Sequence, residues 1–508
     1  MKHRPDTAGF LRGSLLLTLS ALIAKVCGAA FKIPLTAILG GTGMGYFSTA
    51  YGLFLPLYAV LVTGLSTAVA QPVARCAGCG DLAGARYIRR TARLLFLGTG
   101  LLGTAAAILC AKRFTLASSG GTAAYPAVLA ITPAVLLCSL TAVERGYREG
   151  LCDMRPTAVS QAVEALVRLL CGLWLCRVFM RRPPAFLAGY DPAAAGACGA
   201  VLGVTIGACA GWLCILPHEA KCRDSAHPPV KRVLRGLLAI LIPASLGALV
   251  TNLTSLIDLV TVMRTLPRHT DPTFVYGSFM GLSVTVFALV PSLTNMLAKS
   301  VLPCAAQCFA RDDRAGAALY ARQVLALTGL VCIPAGCGIA VLARGALEFL
   351  FAGREAEIAA SWAALRDLTP GLICLCLGTP VFSLLQAAGK PALPVWLMLP
   401  GLAVKLAGNL LLIPRFGIEG AAVSTSLCYL VILLPSWIAL RRLTGRTGAL
   451  PLLASEGIGG ILCGAAAWAV YGFLGNLPQR AAFLCAVLAG ATVYALAIWL
   501  DKGFRDVL

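Results

Sequence analysis

The chain is a succession of long apolar runs separated by short polar, basic turns. Each run is close to the ~20 residues that a helix needs to cross a bilayer. About fourteen such spans are predicted, at 10–33, 44–71, 93–111, 123–143, 157–176, 193–216, 237–263, 273–298, 323–343, 363–387, 391–413, 419–440, 450–475 and 481–500. The fold class expected is therefore an all-α polytopic membrane protein. Motifs recur between its halves. Thr132-Pro133 closes the fourth span as Thr379-Pro380 closes the tenth, and Val167-Arg168-Leu169 is matched by Val404-Lys405-Leu406. Gly196-Ala197 and Gly420-Ala421 open the sixth and twelfth spans alike. The repeat predicts two pseudo-symmetric six-helix bundles around a central cavity, with two C-terminal helices appended. The expected divisions are an N-terminal lobe at 1–217, a basic linker at 218–236, a C-terminal lobe at 237–440 and the appended helices with a tail at 441–508.

Composition agrees with a membrane solvent: 59% of residues are hydrophobic and 12% charged. The first span carries Lys25 and Lys32 in its apolar body, which no cleaved signal peptide would. The net charge of +21 has no basic tail or soluble basic domain to place on a nucleic acid. It concentrates in the loops 72–92, 144–156, 217–236, 299–322 and 441–449, and the positive-inside rule puts these in the cytoplasm with both termini. Most of the 21 cysteines lie in apolar runs, where cysteine acts as a small hydrophobe. Cys76-Ala77-Gly78-Cys79 has no second pair or nearby histidine, and all four histidines are in loops or at the N-terminus. No metal or cofactor is expected.

Charges within the spans are the candidate chemistry. Lys25 and Lys32, seven residues apart, fall on nearly one helical face with Thr18, Ala21, Gly28, Ala29 and Thr36. An ammonium at depth costs about 3 kcal/mol on insertion scales. Snorkelling to opposite surfaces would relieve one lysine but not both, since ~10 Å separates them along the axis. A stripe lining a wet cavity that holds an anion accounts for both. Arg168 has Glu164 one turn before it, so the pair is either a buried tie between helices or a half-neutralised ligand. Lys405 has no acid one turn away and shares a face with Gly401, Gly408 and Asn409, the pattern of a ligand-facing cation. Asp258 lies deep in the seventh span, which Arg264 ends; it pairs with Lys25 or Lys32, binds a coupling cation or carries a proton. Glu144, Arg145 and Arg148 are expected to be solvated at a cytoplasmic helix end.

Several motifs carry a resemblance. Phe10-Leu11-Arg12-Gly13, Lys25-x-x-Gly28 with Lys32, Gly40-x-x-Gly43-x-Gly45-Tyr46 and Ile257-Asp258 followed by Met263-Arg264 resemble the stage V sporulation protein B type of polysaccharide biosynthesis family. So do Leu385-Gln386-Ala387-Ala388-Gly389-Lys390-Pro391, Val404-Lys405-Leu406-Ala407-Gly408-Asn409 and Ile418-Glu419-Gly420-Ala421-Ala422. That family belongs to the MATE-like flippase superfamily, which includes lipid II flippases. The resemblance implies a non-enzymatic flippase in the bacterial cytoplasmic membrane, moving a polyprenyl-diphosphate-linked wall or polysaccharide precursor by alternating access. Its implied partners are that lipid-linked anionic glycan, membrane lipids and a coupling ion. Where the family often has arginine in the first span, this chain has lysines, which keep the charge without the bidentate fork.

On this reading Lys25, Lys32 and Lys405 contact the diphosphate, Arg168 and Arg264 shape the field, and Asp258 and Glu164 are coupling or ion-pair groups. A cation-coupled drug exporter of the MATE type is the alternative, and would want net acidic cavity walls. A membrane glycosyltransferase or polymerase fits less well, because the outer loops offer Asp191, Glu348, Glu355 and Glu357 in no acid–base arrangement.

Overall fold

The computed structural model describes residues 7–119, 122–216, 230–266, 270–390, 392–445, 447–474 and 478–501. Within these, the side chains of 7–19, 21, 22, 25, 119, 231, 232, 240, 243, 244, 251, 299, 300 and 302–304 fall outside the description. Among the described residues there is no strand. In lipid each backbone N–H and C=O must be satisfied inside its own segment, so apolar runs of this length become helices.

The helices are α1 (Thr7–Leu61), α2 (Leu65–Gly78), α3 (Leu82–Ser119), α4 (Tyr125–Gly150), α5 (Arg155–Arg181), α6 (Pro192–Ile215) and α7 (Val230–Thr265). After α7 come α8 (Pro272–Ser278), a π-helical turn at Phe279–Ser283, α9 (Val284–Ala310), α10 (Arg314–Leu350), α11 (Glu355–Ala387), α12 (Leu393–Phe416), α13 (Ile418–Thr444), α14 (Ala449–Phe473) and α15 (Gln479–Leu500). Among the described residues, twelve helices are long and apolar enough to cross a membrane. Two features reconcile them with the larger sequence count. The first two spans run together through α1, and α5, the predicted fifth span, is not among the twelve.

The first two predicted spans meet at Gly40, whose φ of 66° and ψ of −173° kink α1 without any loop. Only glycine adopts that backbone at no steric cost. The second span does not run unbroken to residue 71. It stops at Leu61, turns through Gly64 (φ 81°), and resumes as α2. Gly146 and Gly150 of α4 let α2 lie directly on it, since a Cβ at Gly150 would come 2.7 Å from the Ala70 carbonyl.

Contacts divide the chain into two compact units, Met1–Leu256 and Ile257–Leu508. In the first, α5 and α6 form the closest pair, and the reason is legible in α6. Gly199, Gly203, Gly207 and Gly211 recur every fourth residue and form one face of small residues, the device by which membrane helices approach closely. A Cβ at Gly199 would lie 2.6 Å from the Leu175 carbonyl, one at Gly207 2.9 Å from that of Glu164, and one at Gly203 would overlap Gly172. In the second unit α12 and α13 form a hairpin with Gly417 (φ 60°) as its whole connection. Gly420 seats against the Leu412–Ile413 backbone, and Gly408 against Ser424. The appended helices α14 and α15 pack on each other and on α10.

Candidate functional site

In the first unit, α6 holds α5 so that Glu164 faces α4. Its carboxylate accepts from two guanidinium groups, Arg168 Nη2 at 2.6 Å and Arg145 Nη2 at 2.9 Å. Arg145 also donates to Ser160 Oγ at 2.8 Å, and Ser160 in turn donates to the Gly211 carbonyl of α6 at 2.8 Å. Gln161, on the same helix, accepts from Ser20 of α1 at 3.1 Å. The predicted i,i+4 pair of Arg168 and Glu164 therefore forms, and a second arginine converts it into a triad with one net positive charge. Arg168 remains a third exposed, and its Nε has no hydrogen-bond partner among the described residues.

Solvation of Glu144 and Arg145 is corrected. Glu144 is buried, with Arg89 Nε of α3 at 2.7 Å and Arg93 at 3.7 Å, while the Arg89 guanidinium also lies 4.9 Å from the Tyr147 ring centre. A carboxylate at 1% exposure is tolerable because two cations offset its lost hydration. Both arginines come from a helix that adjacent sequence does not reveal.

The α1 lysines differ. The side chain of Lys25 lies outside the described residues. Lys32 is half-buried, and its ammonium has no acid or hydrogen-bond partner among the described residues. Its backbone carbonyl accepts from Thr36 Oγ1 at 2.8 Å. Beyond it α1 carries an aromatic ladder, Phe47, Tyr51, Phe54 and Tyr58, with successive ring centres 4.8, 5.9 and 5.5 Å apart.

In the second unit the counterpart of Arg168 is buried completely. Lys405 is 1% exposed, with its Nζ 2.8 Å from Asp258 Oδ1 and 2.5 Å from Thr425 Oγ1. Asn409 Nδ2 donates to the same Asp258 oxygen at 2.9 Å and reaches Thr261 Oγ1 at 2.7 Å. Ser424 closes the network by donating to Asn409 Oδ1. The face shared by Lys405, Gly401, Gly408 and Asn409 is thus packed against α13 and α7. The glycines are there for close approach, and the missing acid comes from α7. Asp258 pairs with Lys405, a partner outside the alternatives that the sequence left open for it. Arg264 stands exposed in the last turn of α7.

Sequence reasoning missed the Asp258–Lys405 contact, the arginines on Glu144 and the part played by Arg145. It also passed over the four-glycine face of α6, which is legible as a fixed spacing.

These helices, kinked at glycine and tied by buried ionic clusters, have the fold of transporters of the MOP superfamily. A lipid II flippase MurJ in an inward closed conformation superposes with a TM-score of 0.73 at 13% identity, covering 98% of this chain and 99% of that one. A multidrug resistance MATE family transporter, inward-facing, gives 0.68 at 15% identity over 84% and 95%.

The chain belongs to the lipid II flippase MurJ family, whose model matches residues 124–502. The Bacillus subtilis (strain 168) lipid II flippase MurJ is 24% identical over 97% of this chain and 95% of that protein. Stage V sporulation protein B of the same strain is 23% identical over 82% and 80%. The protein is a multi-pass membrane protein, and its relatives are flippases and transporters.

Proposed function

We propose that this protein carries a polyprenyl-diphosphate-linked glycan of the lipid II kind from the inner to the outer leaflet by alternating access. The observation that carries the reading is Lys32, a half-buried cation on a membrane helix with no counter-charge among the described residues. Holding it there costs about 3 kcal/mol. A phosphorylated headgroup offsets that cost with charge-assisted hydrogen bonds. The Arg145–Glu164–Arg168 triad adds one uncompensated positive charge in the same unit. Lys25 and Lys32 contact the diphosphate, Arg168 supports them, and Arg264 contributes to the field at the end of α7. Lys405 acts indirectly, as the counter-ion that keeps Asp258 dry.

The lobes are those expected at 1–217 and 237–440, and both termini lie in the cytoplasm. The chain performs no bond chemistry on its cargo. The deciding experiment is a leaflet-resolved assay of lipid II in cells depleted of their own flippase. Lys32→Gln should abolish outward appearance of the lipid at unchanged protein level, and full activity of that variant would overturn the assignment.

The rival reading, a cation-coupled drug exporter, draws on the likeness to MATE folds. It requires Asp258 to take up a coupling cation, yet the Lys405 ammonium occupies that carboxylate at 2.8 Å. Drug efflux that Asp258→Asn abolishes would favour the rival.

A further inference from the structure

Glu456 lies two turns into α14, in the pair of helices that has no counterpart in the repeat. Its residue exposure is 0%, and neither carboxylate oxygen has a hydrogen-bond or ion-pair partner among the described residues. Every other buried acid described above is paired: Glu144 with Arg89, Glu164 with Arg145 and Arg168, and Asp258 with Lys405.

The surroundings of Glu456 are built to accept the side chain rather than its charge. Gly329 of α10 faces it so closely that a Cβ there would overlap Oε2, so the absence of a side chain at 329 makes the space. Leu453 and Gly329 border it, and Ala326, Leu330, Leu452, Cys463, Tyr494 and Ile498 form the apolar cluster alongside.

The titratable groups that face it from the packed helices are Cys332 of α10 and Tyr494 of α15, with Cys337 and Cys463 beside Tyr494. None is a cation. The Tyr494 hydroxyl is itself buried without a partner among the described residues. Two charged groups lie at the nearby helix ends, and neither pairs with Glu456. Arg322 packs by Gly448, about 12 Å along the helix axis from Glu456, and Asp501, itself an acid, accepts from Ser455, the residue before Glu456.

We infer that Glu456 is a proton-binding site, holding one proton as a neutral carboxylic acid between α10, α14 and α15. An ionised carboxylate with no partner in such surroundings is far costlier than the neutral acid. A metal ion would need several oxygen ligands, and one carboxylate with thiols and a phenol does not supply them. The proton leaves only when α14 separates from α10 far enough to admit water, so its occupancy reports that separation. This inference is independent of which lipid the protein carries.

The test is an infrared spectrum of the whole protein in lipid vesicles at neutral pH. Wild type should show a protonated-carboxyl carbonyl band that Glu456→Gln lacks and that saturating sodium or potassium does not remove. Glu456→Met, apolar and of similar length, should fold and lack the same band. Indistinguishable wild-type and Glu456→Gln spectra would overturn the inference. Loss of the band on adding either cation would replace the proton site with a cation site. Failure of both variants to fold would overturn it too, because a neutral unpartnered acid is replaceable by an apolar side chain.

Discussion

Lys405 and Asp258 neutralise each other inside the second unit: the ammonium sits 2.8 Å from Oδ1 on two helices far apart in sequence, at 1% exposure. Their bond ties α12 to α7, and Asn409, 151 residues from Asp258, braces the same oxygen. Breaking one member of a buried pair leaves an uncompensated charge, at a cost of about 3–5 kcal/mol. Lys405→Met should therefore lower thermal stability sharply in detergent. The double variant Lys405→Met/Asp258→Asn should recover most of it, giving a strongly non-additive cycle. Additive losses would show that the pair contributes little.

Lys32 sits at the other extreme, without a counter-ion among the described residues. Lys32→Gln relieves an unpaired cation and should leave the melting temperature unchanged or slightly raised while transport is lost. Lys32→Arg keeps the charge and should keep most of the activity. The two readouts, melting and leaflet-resolved lipid II, separate a substrate contact from a structural one.

The α5–α6 contact predicts a strong position effect among glycines. Gly203→Val forces a branched side chain into the Gly172 backbone and should cost about 1–3 kcal/mol by overpacking, or more if the helices separate. It would also loosen Glu164, which α6 holds against Arg145. Gly28→Ala is the control, since a Cβ there meets nothing within 4 Å. Thermal melting of both variants decides it.

Gly40 tests the kink. Alanine at φ 66° incurs roughly 1–2 kcal/mol of backbone strain, so Gly40→Ala should melt earlier than wild type or straighten α1. Distances between spin labels on either side of residue 40 would distinguish the two. No change in either quantity would mean that the kink is not imposed at this residue.

The all-helical class and the approximate placement of the spans were readable from apolar run length, because a bilayer leaves a backbone so few choices. The same reading missed the turn at Val62–Gly64, since Val62 and its flanks are as apolar as the helices they separate. It took Gly401 and Gly408 for the open face of a ligand site, because a small residue beside a lysine suits either a cavity wall or a packed helix. Glu144 looked like a solvated helix end for a related reason: the arginines that bury it belong to α3, and local sequence shows no sign of them.

Taken alone, the order of residues determined an all-helical membrane protein, its internal repeat, and which cations lie at depth. Those properties depend on composition along one helix, and lipid enforces them locally. Only the packed structure decided which charges are spent on neighbours, as Lys405 is, and which remain unspent, as Lys32 does. Ion pairing depends on separations of a few ångströms between helices, and linear spacing does not encode those separations.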